Sequence, residues 1–352
     1  MKRKIALSTG FINLSNYELL ALNRVEDVEL NSHDQKTLDT LLPFLKSEGI
    51  NVSSVHGPCP NLTGNHPNLS ANEEYFELNK TLLKASFRTA KDVSANIVVI
   101  HPFYDLNGEL ALPREDDEKF NFLRKLGVGN FKSIDEYLKS DSYLAAKQRF
   151  ISNLKILVEE IHNEFPGIIL AVENLNPRVT YGLQVPSEII DICSEVKSDI
   201  LKLDLDLPHA FLSATGHQYN FLEEIVKVKD YVGSVSVTQN HGGFFAIDRN
   251  WNSSEPMGKQ DVDPHFPPYG NVKLMKTYGR AEIREENLAF NDVLIGAVQY
   301  SDHGNLPVGF IPIKEALDII GKTTPIVLEM DNRYAPIEAI FSSYHRFREE
   351  MQ

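Results

Sequence analysis

The sequence has little cysteine, no long apolar run and a deficit of basic residues. Its 352 residues include only Cys59 and Cys193, too few for a disulfide framework, which is typical of a protein in a reducing cytoplasm. No apolar stretch approaches the roughly 18 residues that a membrane helix needs. The net charge of −14 argues against a phosphate backbone as the main ligand, because nucleic-acid binding depends on clustered Lys and Arg. We therefore expect a cytoplasmic protein with neither a membrane partner nor a nucleic-acid partner.

Several apolar runs in the chain each end in an acid or a histidine. Such a run is typical of a buried parallel strand whose carboxyl end opens onto a site. The terminal residues are His56, His101, Glu173, Asp206 and Glu329. Because the carboxyl ends of the strands in a closed parallel barrel meet at one rim, we expect these side chains to line one pocket.

Hydrophobic periodicity predicts strands that alternate with helices along the whole chain. The predicted strands span 3–8, 26–30, 51–56, 96–102, 167–173, 200–206, 232–239 and 325–330. The predicted helices span 34–48, 72–93, 145–165, 186–195, 219–230, 312–321 and 335–350. This alternation favours a closed (β/α)8 barrel, the TIM barrel of the α/β class, over an open sheet, with residues 1–352 forming one domain.

Two segments are too long to be simple connections between these elements. Residues 103–144 follow the fourth predicted strand, and residues 240–310 follow the seventh. Loops of this length are usually functional or disordered. Since the second segment contains Trp251, the only tryptophan, we expect it to close over the rim and exclude water. Both segments are predicted to be insertions at the rim of the barrel.

The sixth predicted strand places charged residues on one face. Alternation with a period of two puts Lys202, Asp204 and Asp206 in the lumen and the leucines between them against the helices. Asp206 is nearest the rim, and His209 follows three residues later. An Asp that caps the next helix, followed by a surface His, explains the same pair.

Glu173 and Glu329 are predicted to end strands five and eight, facing each other across the barrel. A carboxylate at that depth needs a metal ion, an arginine or a proton. Together with Asp206 and His209 they form a set of oxygen and imidazole donors that suits Mn²⁺, Mg²⁺, Co²⁺ or Zn²⁺. For each glutamate alone a structural ion pair is an equal alternative. A histidine at a strand end is more often a hydrogen-bonding group than a ligand.

The order and spacing of these motifs resemble the xylose-isomerase-like TIM-barrel superfamily. The motifs that carry the resemblance are His56-Gly-Pro, His101-Pro, Glu173-Asn, Asp206-x-x-His209 and Leu328-Glu329. That superfamily contains sugar isomerases and epimerases, inosose dehydratases and DNA-repair nucleases of the endonuclease IV type. Related barrels often form dimers or tetramers, so the resemblance is compatible with a homo-oligomer, although no feature of the sequence specifies an interface.

The resemblance implies a role for each residue of the predicted pocket. Glu173, Asp206 and Glu329 would bind a metal ion, and His209 would bind either the substrate or a metal. The histidines of the third and fourth strands would line the pocket.

The chain departs from the family pattern at the seventh strand. Where the family has a metal-binding histidine, this sequence has Ser236 on the inward face. His241, His265 and His303 are the alternatives from the long loop, and His265 is favoured because Pro-Pro-Tyr-Gly follows it much as Pro-x-Gly follows the family's histidine. The predicted ligand set for one divalent ion (Mn, Co, Mg or Zn) is Glu173, Asp206, His265 and Glu329.

These residues predict a metal-dependent isomerase or epimerase of a small sugar, polyol or hydroxy-keto acid. Glu173 and Glu329 are expected to remove and return a proton through an enediolate. The residues expected to bind this small-molecule substrate are His56, His101, Lys202, His209 and Trp251.

Two further interpretations remain open. The histidines and acids of the pocket also match the multi-zinc pattern of an endonuclease IV-like nuclease, although the acidic balance of the chain argues against it. Loss of the strand-seven histidine alternatively indicates a metal-free lyase, hydrolase or binding barrel, since one fold hosts many chemistries.

Overall fold

Eight parallel strands form a closed barrel in the computed structural model of the chain. The structure describes residues 3–63, 66–106, 108, 134–177, 180–217, 219–240, 245–246, 298–299, 311–330 and 337–351. The barrel strands are β1 (Ile5–Ser8), β2 (Asp27–Leu30), β3 (Asn51–His56), β4 (Ile97–Ile100), β5 (Ile169–Glu173), β6 (Leu201–Asp206), β7 (Val232–Val237) and β10 (Ile326–Leu328). Each strand pairs with the next along the chain, and β10 closes the ring against β1. The predicted (β/α)8 barrel is therefore confirmed.

Helices follow the strands and cover the outside of the barrel. They are α1 (Leu19–Leu22), α2 (Gln35–Glu48), α3 (Glu73–Asp92), α4 (Ile134–Leu138), α5 (Asp141–Glu164), α6 (Glu188–Val196), α7 (Leu207–His217), α8 (Phe221–Val228), α9 (Ile313–Ile320) and α10 (Ile337–Met351). None of the helices in the described ranges is long and apolar enough to cross a membrane.

The predicted insertions follow β4 and β7, and most of their residues lie outside the described ranges. Within the second one, β8 (Phe245–Ala246) pairs antiparallel with β9 (Val298–Gln299). The helix after the first insertion begins earlier than the predicted residue 145. The side chain of Ser140 accepts a hydrogen bond from the backbone N–H of Tyr143, and this N-cap starts α5 at Asp141.

Alternation along the strands separates the lumen from the outer core. The leucines of β6, Leu203 and Leu205, are fully buried in the main apolar core, which also contains the inner faces of the helices. On the opposite face of the sheet, Ile97, Val99 and Ala171 form a separate apolar cluster inside the barrel. The lumen is therefore apolar below and becomes polar towards the carboxyl ends of the strands.

Candidate functional site

Glu173 is the centre of the polar cluster at the rim. It ends β5, is only 2% exposed, and contacts three histidines from neighbouring elements. Its Oε2 lies 3.0 Å from Nε2 of His56 and 3.3 Å from Nε2 of His101, and its Oε1 lies 3.1 Å from Nδ1 of His209. The structure thus brings together three residues of the strand-end pattern and His209, which was predicted from its place three residues after Asp206.

The three imidazoles determine the charge of this cluster. Burial alone would raise the pKa of Glu173, but His101, His209 and His56 outweigh it and hold that pKa well below 4.5. Burial would lower the pKa of His56, whereas its hydrogen bond and charge contact with Glu173 raise the pKa to about 10. Glu173 and His56 therefore form a buried ion pair near neutral pH.

Asp206 fixes the beginning of α7 and the position of His209. One carboxylate oxygen of Asp206 accepts a hydrogen bond from the backbone N–H of His209 at 2.6 Å, as an N-cap residue does. The same oxygen lies 3.4 Å from Nδ1 of His209, whose residue is only 5% exposed. Asn174 holds this turn, since its side chain donates to the carbonyl of Asp206 at 3.0 Å and accepts from its N–H at 2.9 Å. Asp206 is thus the helix cap that one interpretation of the sequence proposed, but His209 is buried beside it and does not lie on the surface.

Two more buried carboxyls lie deeper in the lumen. Asp204 accepts hydrogen bonds from the hydroxyls of Ser234 and Ser236, the latter at 3.2 Å. Burial, followed by the charge of Glu173, raises the pKa of Asp204 to about 7. Ser236, at the position where the resemblance led us to expect a histidine, therefore helps to hold this carboxyl beneath the rim.

Glu29, on β2, is the second of these carboxyls. It is 1% exposed and accepts a hydrogen bond from the hydroxyl of Ser54 at 2.8 Å. Burial raises the pKa of Glu29 to about 8. Neither Glu29 nor its hydroxyl partner ends an apolar run, so strand-end reasoning did not single them out.

A wall of rings on the β3 and β4 side also lay outside the sequence prediction. The ring of His66 stacks on that of His101, with centroids 4.0 Å apart and planes at 15°. The hydroxyl of Tyr104 lies 2.6 Å from Nδ1 of His101. His66 and Tyr104 lie in loops, where no periodicity distinguishes a site residue from a solvated one.

The remaining predicted site residues have different placements. Glu329 follows β10 directly and is half-buried, with its backbone N–H 3.3 Å from the carbonyl of Val237. Lys202 is the second residue of β6 and pairs with Ala171, so it lies four positions before Asp206, towards the opposite end of the barrel. The predicted residues that lie outside the described ranges are Trp251, His241, His265 and His303.

The described part of the site can supply donors to a metal ion in two overlapping groups. One group consists of His56, His101 and Glu173, and the other of Glu173, Asp206 and His209. Within each group the ligand atoms lie within 4.8 Å of one another. Carboxylate oxygen and imidazole nitrogen are donors that Mn²⁺, Co²⁺ and Zn²⁺ accept, so the residues present fit a divalent ion.

Solved structures of an epimerase-like protein, an epimerase and a probable dehydratase share this fold. A D-tagatose 3-epimerase-like protein aligns with a TM-score of 0.61 at 16% identity, over 99% of this chain and 96% of its own. The 3-keto-D-glucoside 4-epimerase YcjR from E. coli aligns with a TM-score of 0.55 at 13% identity, over 99% of this chain and 100% of its own. The probable 3-DHS dehydratase AsbF from Bacillus anthracis aligns with a TM-score of 0.54 at 10% identity, over 98% of each chain.

A family model also matches most of the sequence. No curated protein matches this sequence at a significant level. The model described as xylose isomerase-like TIM barrel matches residues 20–350, which include every strand of the barrel after β1. The protein therefore belongs to the xylose isomerase-like TIM-barrel family, as its strand-end motifs had indicated.

Proposed function

We propose that the protein is a metal-dependent isomerase or epimerase of a small sugar, polyol or hydroxy-keto acid. The observation that carries the proposal is the buried cluster of Glu173, Asp206 and His209, which offers two carboxylates and an imidazole within 4.8 Å at the rim of a family barrel. Isomerases and epimerases of this kind need a carboxylate beside the reacting carbon and donors for its oxygen substituents.

The metal ion would be held by Glu173, Asp206 and His209, with Glu329 and a histidine of the long loop as the further predicted ligands. When bound, a divalent ion polarises a carbonyl group and the adjacent hydroxyl as a Lewis acid. This set differs from the one predicted from sequence in that it includes His209, whose Nδ1 lies 3.1 Å from Glu173, 3.4 Å from Asp206 and 3.1 Å from the carbonyl of Asn174.

The proton transfer is assigned to Glu173 and Glu329. One carboxylate takes the proton from the carbon next to the carbonyl, and the other returns a proton to the opposite face of the same carbon. Glu173 is a weak base while three histidines contact it, because each contact stabilises its charged form. Its basicity rises when a substrate oxygen takes over the N–H of His56 or His101, which couples substrate binding to proton removal.

The histidines of the rim also suit a polyhydroxylated ligand. Nδ1 of the buried His56 ring has no hydrogen-bond partner among the described residues. An imidazolium carries N–H donors on both nitrogens, so this one requires an acceptor. A carbonyl or hydroxyl oxygen of the substrate would satisfy it, and His101 and His209 would hold neighbouring oxygens.

The test is deuterium exchange at the carbon next to the carbonyl. Protein supplied with Mn²⁺ is incubated in D₂O with D-tagatose, D-fructose and D-allulose, and NMR follows both deuterium incorporation and formation of the epimer. We expect exchange with at least one ketose, and a fall of roughly a hundredfold or more in Glu173→Gln and in Glu329→Gln, the scale of general acid–base catalysis.

Glu224→Gln provides the matched control for these variants. Glu224 is also buried, at 3% exposed, but it lies on α8 and accepts hydrogen bonds from Lys227 and from the backbone of Ser187. This variant should retain exchange. Undiminished exchange in a folded Glu329→Gln protein would remove that residue from the mechanism.

A dehydratase is the second candidate, favoured by the likeness to the dehydratase from Bacillus anthracis. Elimination of water begins with the same removal of a proton next to a carbonyl, so the same carboxylates would serve. The two activities give different products in the NMR experiment: an epimer keeps every hydroxyl group, whereas a dehydratase product has lost one as water.

A further inference from the structure

His66 lies one ring away from the centre of the site. Its imidazole stacks on that of His101 with centroids 4.0 Å apart, and its centroid is 6.3 Å from that of His56. Nε2 of His101 is in turn 3.3 Å from Glu173. A molecule of a few carbons with its reacting carbon beside Glu173 would therefore reach His66.

The hydrogen bonds of the His66 ring leave one nitrogen without a partner. The ring forms a hydrogen bond with the backbone of Gly57, and this bond favours the protonated nitrogen, so the carbonyl of Gly57 accepts from it. Nδ1 of His66 is buried and has no partner within the described part of the chain, which assigns the bond with Gly57 to Nε2. With the proton on Nε2, Nδ1 of the neutral imidazole presents a lone pair.

A buried acceptor of this kind requires a donor. Most buried polar atoms in proteins have a hydrogen-bond partner, and an atom without one at a site is the place for a ligand group. The neighbouring imidazoles do not provide it, since Nδ1 of His101 is engaged with Tyr104 and its Nε2 faces Glu173. Nε2 of His56 is engaged with Glu173, and its Nδ1 is itself without a partner among the described residues, so it forms no bond with His66.

Metal binding does not account for His66 either. Among the described residues, both groups whose ligand atoms cluster closely enough for an ion contain Glu173, and neither contains His66. The group that His66 would accept a hydrogen bond from is therefore an O–H or N–H of an organic ligand.

We propose that His66 binds the substrate, its Nδ1 accepting a hydrogen bond from a hydroxyl group away from the reacting carbon. This inference rests on the proposed function and makes it more specific. The substrate must carry a hydroxyl group beyond the reacting carbon and extend from Glu173 along the stacked rings of His101 and His66. A substrate whose carbon chain stops next to the reacting carbonyl would be too short to form a hydrogen bond with His66.

The experiment compares His66→Phe, which preserves a flat ring over His101, with His66→Gln, whose side-chain oxygen restores an acceptor. KM and kcat are measured for the best ketose of the exchange experiment and for its deoxy analogues, each lacking one hydroxyl. For His66→Phe we expect KM to rise about two- to tenfold, the range for one neutral hydrogen bond, with kcat nearly unchanged. His66→Gln should recover part of this loss.

The deoxy analogues separate a hydrogen bond from a packing effect. One analogue should lose affinity for the wild-type protein and none for His66→Phe, because the variant has already lost that contact. His217→Phe is the matched control, since His217 also stacks on a ring, that of Tyr219, at the far end of α7. It should leave KM unchanged.

Two outcomes would overturn the inference separately from the proposed function. If the wild-type protein turns over a ketose and His66→Phe has the same KM for every analogue, His66 does not bind the substrate and the proposed function stands. If the wild-type protein neither turns over nor binds any ketose in calorimetry, the proposed function fails and the inference fails with it. If the wild-type protein binds a ketose without turning it over, the same comparison of variants and analogues is made with the dissociation constant in place of KM.

Discussion

The hydroxyl of Tyr104 lies 2.6 Å from Nδ1 of His101, and this contact determines which imidazole nitrogen carries the proton. Burial raises the pKa of Tyr104 well above 10, so the hydroxyl stays protonated and donates a hydrogen bond to Nδ1 of His101. In the neutral imidazole the remaining proton is then on Nε2, the nitrogen that faces Glu173. Tyr104 is therefore a positioning residue for His101.

We predict that Tyr104→Phe lowers turnover about three- to tenfold, since one neutral hydrogen bond is lost and the tautomer of His101 is no longer fixed. The phenyl ring keeps the edge-on contact with Tyr181, whose centroid is 5.3 Å away, so the fold should be retained. The measurements are ketose turnover and the ¹⁵N chemical shifts of His101. Tyr344→Phe, on α10, is the control, and equal turnover in both variants would contradict the prediction.

The buried carboxyl of Glu29 predicts an unusual dependence of stability on pH. Its pKa is about 8 in the folded protein, against an ordinary value of 4.5, because burial disfavours the charged form. Between these two values the folded state holds a proton that the unfolded state releases, so stability contributed by this group falls as pH rises through that window. Glu29→Gln removes the ionisable group and keeps an acceptor for Ser54.

We therefore predict that Glu29→Gln stabilises the protein relative to wild type by an amount that increases from about pH 5 to about pH 9. Urea denaturation of both proteins at the two pH values measures the difference in the free energy of unfolding. An effect of the same size at both values would show that Glu29 does not titrate in this window.

Single residues of the site were predictable at strand ends and, for Asp204 and His209, within three residues of one. Glu173, Asp206 and His56 each terminate an apolar run, so alternation shows that they face the lumen. His66, Tyr104 and Asn174 lie in connections, where their orientation depends on packing that no local period encodes. The pairing of His56 with Glu173 across the barrel also required the closed sheet, because 117 positions separate the two residues.

At the scale of elements, the helices that support the rim differ in whether a side chain accepts hydrogen bonds from the backbone N–H groups of their first turns. The side chain of Asn220 accepts hydrogen bonds from the backbone N–H groups of Leu222 and Glu223 at the start of α8. Asn72 occupies the same position before α3, where no side-chain cap is formed. The same residue type thus has a capping role in one helix and not in the other.

We predict that Asn220→Ala lowers the free energy of unfolding by about 1 kcal/mol, the usual cost of losing a side-chain cap. Asn72→Ala is the matched control and should cost clearly less, since no capping bond is lost. Urea denaturation of the two variants measures both values, and equal costs would show that the cap of α8 contributes nothing specific.

The strands were easier to predict than the helices. Buried parallel strands are short apolar runs, and all eight barrel strands were located from the sequence to within a few residues. Helix α7 was missed because its residues Leu207–His217 are apolar on most sides, which removes the helical period. Its start is defined instead by the N-cap of Asp206.

At the scale of the whole molecule, barrel closure is what creates the site. The residues around Glu173 come from β3, β5, and the segments after β4 and β6, and only the shared rim brings them together. This convergence was predictable, since the order of the strand-end motifs indicated the family that the chain proves to belong to. Which residue of the second insertion would contribute to the site could not be predicted from the sequence, because a long loop has no register to fix its position.

The most direct test of the account is a calorimetric titration of Mn²⁺ into protein purified without chelators and freed of bound metal, alongside Asp206→Asn. The control is Asp230→Asn, a change at an exposed residue beside β7. We predict about one equivalent bound by the wild-type protein and by the control, and binding at least tenfold weaker in Asp206→Asn, as expected for loss of a ligand. A stoichiometry near three ions per chain would instead favour the nuclease alternative. No binding by the wild-type protein would contradict the account and leave a metal-free barrel.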